Sequence, residues 1–546
     1  MCGPLGSGDV QVVARAAICD LCFRVITKVE EWSLENSLLK LAVSLPQIGI
    51  FGARAAWSGY EGICVWARVP TVRQRARVRW CLGSRFLEGS GWMDRQLSKG
   101  ERQAARLGFF SDPVWTRIAK LGVPSLGSVL LSPIYAATDS AIMGHVGKIP
   151  LAALALAMGF LNFWVLPFTS VGFAITSKAA FYSGTGDLAA SRNLGVSSIV
   201  AMGLFGALLG GLFAAVAPLI SPVLTQSHSV ASSTAEYLQL AGIGMPALFI
   251  FQAGTMYLTG IGRTGRVLAV TALNVAVNIV LEVLLVFGAH LSVAGSALGT
   301  DIAEIAGALV IVWMLRYPGA VSGLVSRTER FFREFFPAAA ALAVRTFALV
   351  GALSGSVLVA SQGTPDVLDS FQVGQQIWLV FGLAFDAVAV PAQVLVGEWI
   401  ATGVLKQMKH WTSRLLHIGW IAGIALAVAV VIARAPLAGV FTNIASVVAP
   451  AKESVAFAGL AMPITAVSFV IDGLVGGFQR FKLLRTIMLI SLAGAVVLAA
   501  AVLSIYGRGL SVSDVWIIFG AWLVVRGIAS LVAWRSLLSS HVREES

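Results

Sequence analysis

Beyond Cys81 the chain has no cysteine: all five (Cys2, Cys19, Cys22, Cys64 and Cys81) fall in the first 81 of 546 residues. That rules out disulfides and thiolate metal sites in most of the protein. Cys19-Asp-Leu-Cys22 has no second Cys-x-x-Cys and no paired histidines at a workable spacing, so no zinc site is expected there either. Charge is also scarce. Asp, Glu, Lys and Arg together make up 12% of residues, whereas a soluble domain carries about 25%. No Gly-x4-Gly-Lys-Ser/Thr occurs, which argues against nucleotide-driven work by this chain. The nearest approach to a paired acidic Mg²⁺ motif is Asp366-Val-Leu-Asp369, in a short loop between apolar runs, so an integral-membrane transferase is a remote reading.

What is abundant is apolar length. Hydrophobic residues reach 57% and mean hydropathy is +0.83. Runs long enough for a hydrocarbon core of about 30 Å recur along the chain. They predict twelve spans, the first six at 118–140, 152–183, 197–221, 234–262, 267–289 and 293–315. The other six are at 336–360, 371–402, 415–435, 450–479, 484–506 and 514–538. An all-α polytopic membrane protein follows. The first 92 residues hold no run of that length: the best, 41–51, is broken by Pro46, and no signal peptide with a cleavage site is present. Met93 opens a charged stretch, Met-Asp-Arg-Gln-Leu-Ser-Lys-Gly-Glu-Arg, directly before the first span. Residues 1–92 are therefore expected to be a disordered, dispensable extension or a misassigned start.

A net charge of +12 invites a nucleic-acid partner, but the basic residues sit in short loops between spans. Fifteen of them (Arg192, Arg263, Arg266, Arg316, Arg327, Arg330, Arg333, Lys406, Lys409, Arg414, Arg480, Lys482, Arg485, Arg535, Arg543) fall on one side, and four (Lys148, Arg434, Lys452, Arg508) on the other. By the positive-inside rule this asymmetry puts both termini in the cytoplasm, and a multi-pass plasma (inner) membrane location is expected. No nucleic acid is expected as partner; membrane lipid is.

The two halves repeat. Ala241-Gly-Ile-Gly-Met-Pro246 returns as Ala458-Gly-Leu-Ala-Met-Pro463, an offset of 217, and at the same offset Gly260 meets Gly477 and Arg263 meets Arg480. Six spans per half give both repeats one orientation, related by an axis along the membrane normal. A first lobe at 93–330 and a second at 331–546 are expected, with 316–334 as a basic linker and a central cavity between the lobes. Rocking of two such bundles is a known route to alternating access.

Ionisable groups within the spans are the functional candidates, since a carboxylate at the bilayer centre costs roughly 2.5–3.5 kcal/mol on insertion scales. Asn278 and Glu282 lie four apart on the fifth span and share a face, which Asn274 extends. Thr300 and Glu304 are similarly spaced on the sixth, with Asp301 beside them, and Asp139 ends the first. Carboxylate, amide and hydroxyl oxygens suit Na⁺, and desolvated carboxylates can carry a proton. Blander roles exist for each: a surface cap for Asp139, pairing with Lys178 for Glu282, helix–helix hydrogen bonding for Asn278 and Thr300. In the second half Arg345 and Asp386 form a candidate ion pair, and Asp472 could face the cavity and attract cations.

These residues bring a family into view. Asp139-x4-Gly144-His-Val-Gly147, Asn278-Ile-Val-Leu-Glu282 and Gly295-Ser-Ala-Leu-Gly-Thr300 resemble motifs of the multidrug and toxic compound extrusion (MATE) transporters. Arg345-Thr346, Phe385-Asp386 and Val396-Gly-Glu398 are similar to the DinF-like branch. The resemblance implies two pseudo-symmetric six-helix lobes and a cation or proton site at Asp139, Asn278, Glu282 and Thr300, with Glu282 where the family has Asp. It also implies a first-span bend at Pro124 that couples to ion binding. The function implied is antiport, not catalysis: a secondary multidrug exporter, driven by H⁺ or Na⁺ and needing no other cofactor. Its partners would be small amphipathic, cationic organic compounds, and it would act as a monomer. A flippase for a lipid-linked precursor is the alternative of related architecture.

Overall fold

The computed structural model describes residues 113–316, 323–442, 444–506 and 509–543. The cysteine-bearing segment, the extension at 1–92 and the charged stretch after Met93 lie outside the described residues. Within them the chain is helical, as lipid demands: a spanning segment must satisfy every backbone N–H and C=O internally. Eleven helices are long and apolar enough to cross a bilayer, and a pair bent by 42° makes twelve.

In the first half the spans are α1 (Pro113–Val146), α2 with α3 (Lys148–Thr169, Gly172–Thr185), α4 (Leu188–Leu224), α5 (His228–Gly260), α6 (Thr264–Val283) and α7 (Ser292–Leu315). A π-helical turn, Leu284–Gly288, follows α6. In the second half they are α8 (Leu324–Ala360), α9 with α10 (Pro365–Gly382, Asp386–Thr402) and α11 (Leu405–Ile432). A short α12 (Arg434–Phe441) precedes α13 with α14 (Ala445–Leu460, Met462–Gly477), α15 (Phe481–Tyr506) and α16 (Val512–Arg543). All twelve expected spans are present. The 316–334 stretch differs: α8 begins at Leu324, because that segment is amphipathic, not irregular. Phe331 and Phe335, four apart, stack 4.3 Å between ring centroids and are buried, while Arg330 and Arg333 stay exposed. Outward-facing side chains are apolar where lipid would lie, as at Leu208 (71% exposed) and Val223 (77%).

The doubling is written into the backbone. Gly186 (φ 72) and Gly403 (φ 70), 217 apart, end the second and eighth spans in the left-handed region. Gly262 (φ 74) and Gln479 (φ 57), at the same separation, follow the fourth and tenth. Gln479 shows that the turn, not the glycine, is what repeats, since a side chain there works against the left-handed preference. Spans two and eight also break at corresponding points, after Thr169 and at the 3₁₀ turn Leu383–Phe385. An interrupted helix frees carbonyls and amides near mid-membrane, the place where transporters build their sites.

The lobes meet unevenly. The main contacts between them are made by α10 against α1 and α3, by α8 against α2 and α4, and by α14 against α3. Among the described residues α9 and α13, at the far ends of spans eight and ten, pack on each other and make no extensive contact with the first lobe. The α10 contacts thus lie in the half that carries the basic loops, while α8 also packs on α2, the opposite half of span two.

Candidate functional site

Three helices bring the first-lobe residues together. The α6 and α7 helices approach closely because Gly295 and Gly299 lack side chains: a Cβ at Gly299 would stand 3.1 Å from the Glu282 nitrogen, and one at Gly295 3.0 Å from the Leu285 carbonyl carbon. Asn274 Nδ2 ties the same pair lower down by donating to the Ala303 carbonyl at 2.9 Å. Above, Asn278 Nδ2 donates to Thr300 Oγ1 at 3.1 Å, and Thr300 Oγ1 donates to the Ser296 carbonyl at 3.1 Å. From α1, the Tyr135 hydroxyl meets Thr300 Oγ1 at 3.0 Å. Asp139, one turn further along α1, is a neighbour of Glu282. The π turn directly after Glu282 re-aims the end of the fifth span, a common feature at functional sites.

The burial is nearly complete: Asp139 is 1% exposed, Asn278 1% and Glu282 0%. Both oxygens of Asp139, both of Glu282 and Asn278 Oδ1 receive no hydrogen bond from protein, and Ser296 Oγ beside them is likewise buried and unpartnered. Leaving a buried acceptor unsatisfied costs about 1–3 kcal/mol, more for a charged one. Such a cluster is relieved by something positive: a proton between the carboxylates, or a small cation held by these oxygens. Lys178 does not supply it. Its Nζ sits over the rings of Phe181 and Tyr182, at 6.0 and 5.4 Å, so the pairing considered for Glu282 is not made.

Pro124 lies inside the continuous helix α1, and its missing N–H leaves the Lys120 carbonyl without its helical partner. Thr264, at the start of α6, donates to that carbonyl at 3.1 Å and is itself 1% exposed. The fifth span therefore supplies the donor that the proline leaves missing at one end and carries Asn278 and Glu282 toward the other. Thr264→Val, which keeps shape and removes the donor, is expected to cost about 1 kcal/mol of stability. It should also raise amide exchange around 118–124, while Thr264→Ser stays close to the parent. Unchanged exchange in the valine variant would contradict a bracing role.

In the second lobe the expected pairing is corrected. Arg345 bonds not Asp386 but Asp472, Nη2 to Oδ2 at 2.6 Å, and Arg526 reaches the same oxygen at 2.6 Å. Asp386 lies near Arg345 and Asp472 without an ion pair of its own. The reason is placement: Arg345, Asp472 and Arg526 come from spans seven, ten and twelve, whose side chains converge in the lobe interior. Asp472 is 7% exposed and Arg526 2%. Two guanidiniums already occupy this carboxylate, which removes it as a free attractant for cations.

Asp301 is also buried (6%), pressed against α5 at Gly244, where a Cβ would collide with its carboxylate. Tyr135, Tyr237 and Ser296 were not foreseen. Tyr237 is 1% exposed and neighbours Asp139, Glu282 and Asp301. Spacing carries a signal for two of them: Tyr135 precedes Asp139, and Ser296 precedes Thr300, by one helical turn of four residues.

Comparison with known proteins agrees with this architecture. The MatE family model matches residues 124–284 and 339–502, one block in each half. Protein DETOXIFICATION 44, chloroplastic, of Arabidopsis thaliana is 25% identical over 386 residues, 67% of this chain and 72% of that one. A probable multidrug resistance protein NorM of Rhizobium meliloti is 28% identical over 378 residues, covering 65% and 77%. DNA damage-inducible protein F of Escherichia coli is 22% identical over 429 residues, covering 76% and 91%. Among solved structures, an outward-facing multidrug resistance MATE family transporter of the MOP superfamily superposes with TM-score 0.67 at 16% identity, over 78% of this chain and 96% of that one. Two blocks that together span more than half of the sequence settle the kinship: the chain belongs to the MATE family and is a multi-pass membrane transporter, not an enzyme.

Proposed function

We propose that this chain is a secondary active exporter that moves small amphipathic organic compounds, cations among them, out of the cytoplasm against inward flow of H⁺. The observation that carries the reading is the Asp139–Glu282 pair: two fully buried, neighbouring carboxylates whose four oxygens make no hydrogen bond in the structure. Uptake of a proton from the outer face turns one of them into a donor for the other. It thereby removes repulsion between α1 and α6 and changes the preferred packing of the first span, with Pro124 as the point of flexure. The two six-helix lobes then rock about the cavity to release substrate. One chain holds the whole machinery, so the working unit is a monomer.

The loop charges support a cytoplasmic location for both termini, and with it a plasma (inner) membrane. Arabidopsis relatives named chloroplastic make an organelle membrane the competing location. A second coupling ion is favoured by one feature: the partnerless oxygens come from four residues, Asp139, Asn278, Glu282 and Ser296, a set that also suits Na⁺.

The test is purified protein in liposomes, with an imposed pH or Na⁺ gradient and a fluorescent organic cation. Substrate movement that follows the pH gradient supports H⁺ coupling, movement that follows only the Na⁺ gradient supports the second ion, and movement indifferent to both refutes antiport.

A further inference from the structure

On the basic face one ion pair joins the two lobes. Arg117, in the first turn and a half of α1, places Nη2 2.5 Å from Oε1 of Glu398, near the end of α10. The Glu398 side chain is 10% exposed and the Arg117 side chain 54%. Around Glu398 the surfaces are almost bare backbone. A Cβ at Gly184 of α3 would stand 2.8 Å from the Glu398 Cα and 2.7 Å from the Ala401 Cβ, and one at Gly397 would stand 2.9 Å from the Ala180 Cβ. Deeper in the same seam, Gln393 Nε2 donates to the Phe173 carbonyl and to Ser177 Oγ, both at 2.8 Å.

From these contacts we infer that Arg117 and Glu398 form a latch that holds the basic face closed, and that Arg117 is a positioning residue for the transport cycle. The inference rests on the alternating-access reading above. Glu398 is a carboxylate set in a Gly/Ala interface, where it makes no sense as packing: with Arg117 removed, its charge stays pressed between two helices. The helix that carries Arg117 also carries Asp139, 22 positions on, and between them lie Pro124 and the Thr264 brace. Gly122 presses on the Ala387 carbonyl of the second lobe in this same stretch. A bend of α1 at Pro124 therefore shifts Arg117 relative to Glu398, so the outer carboxylate pair and the inner latch sit on opposite arms of one lever.

Seam opening can be read without transport. Ser177→Cys puts a thiol of near-equal size at a position that is 0% exposed inside the seam. In full-length protein in nanodiscs, with no substrate or gradient, labelling of that thiol by a water-soluble maleimide is followed by peptide mass spectrometry, which separates it from the native cysteines. Since labelling tracks the open population, Arg117→Gln and Glu398→Gln should each raise its rate about fivefold, the change expected for a partly exposed pair. Arg117→Lys, which keeps the charge, should stay within about twofold of the parent. Equal labelling in the parent and both glutamine variants, or lysine as fast as glutamine, overturns the latch. A failure of ion coupling would appear instead in the liposome assay, with the labelling pattern unaffected.

Discussion

Asp139→Asn protein is expected to fold, bind lipid and lose gradient-driven export, and Glu282→Gln is expected to do the same. Each replacement preserves size and hydrogen-bonding reach while removing the ability to cycle a charge. At 100 mV one inward charge supplies about 2.3 kcal/mol, enough for roughly a 40-fold gradient of a neutral substrate. In either variant that accumulation ratio should collapse toward one. The double variant should be no worse than the singles, because the two carboxyls work as one unit and such effects are strongly non-additive. The measurement is accumulation ratio in liposomes, alongside downhill leak. If either single variant kept more than half of the parent's accumulation ratio, the pair would have no coupling role.

The second large effect belongs to Asp472, and it concerns stability. Asp472→Asn leaves Arg526, 2% exposed, and Arg345 without the carboxylate charge both contact. Breaking a buried ion pair from one side typically costs about 3–5 kcal/mol. The loss should appear as a marked fall in thermal stability in detergent. Replacing the set together with its acidic neighbour (Arg345→Met, Asp472→Leu, Arg526→Met, Asp386→Asn) should recover most of it, because a core of similar volume then strands no charge. Asp472→Asn with parental thermal stability would show that the cluster is not a structural knot and would reopen it as a substrate contact.

The twelve spans were legible because apolar length is a one-dimensional signal, and lipid leaves the backbone no option but helix. Two pieces were not. The start of α8 mixes arginine with phenylalanine and looked like a linker until Phe331 and Phe335 were seen to share a buried face. The short α12 lies in a loop where no bilayer constrains it. The same contrast holds for side chains. Asn278 and Glu282 could be grouped beforehand because spacing along one helix determines a face, and the family motifs supplied the links to Thr300 on α7 and Asp139 on α1. Tyr237, contributed by a different helix, could not, since sequence carries no distance between spans. That gap also explains the second lobe: Arg345 and Asp386 stand on consecutive spans, which made them the natural pair, yet the interior brings spans seven, ten and twelve together instead.

The Gly/Ala lining at Gly184, Gly397, Ala180 and Ala401 has an energetic consequence. Stabilisation by apolar burial scales with area, at about 25 cal/mol per Å², and these residues offer little area however intimately their main chains touch. This stretch of the joint thus mates by shape while gaining little free energy, and the apolar area between the halves comes from other contacts, such as Trp115 against Trp411 and Phe163 against Phe347. Such a stretch adds less resistance to parting than leucines and phenylalanines in the same places would.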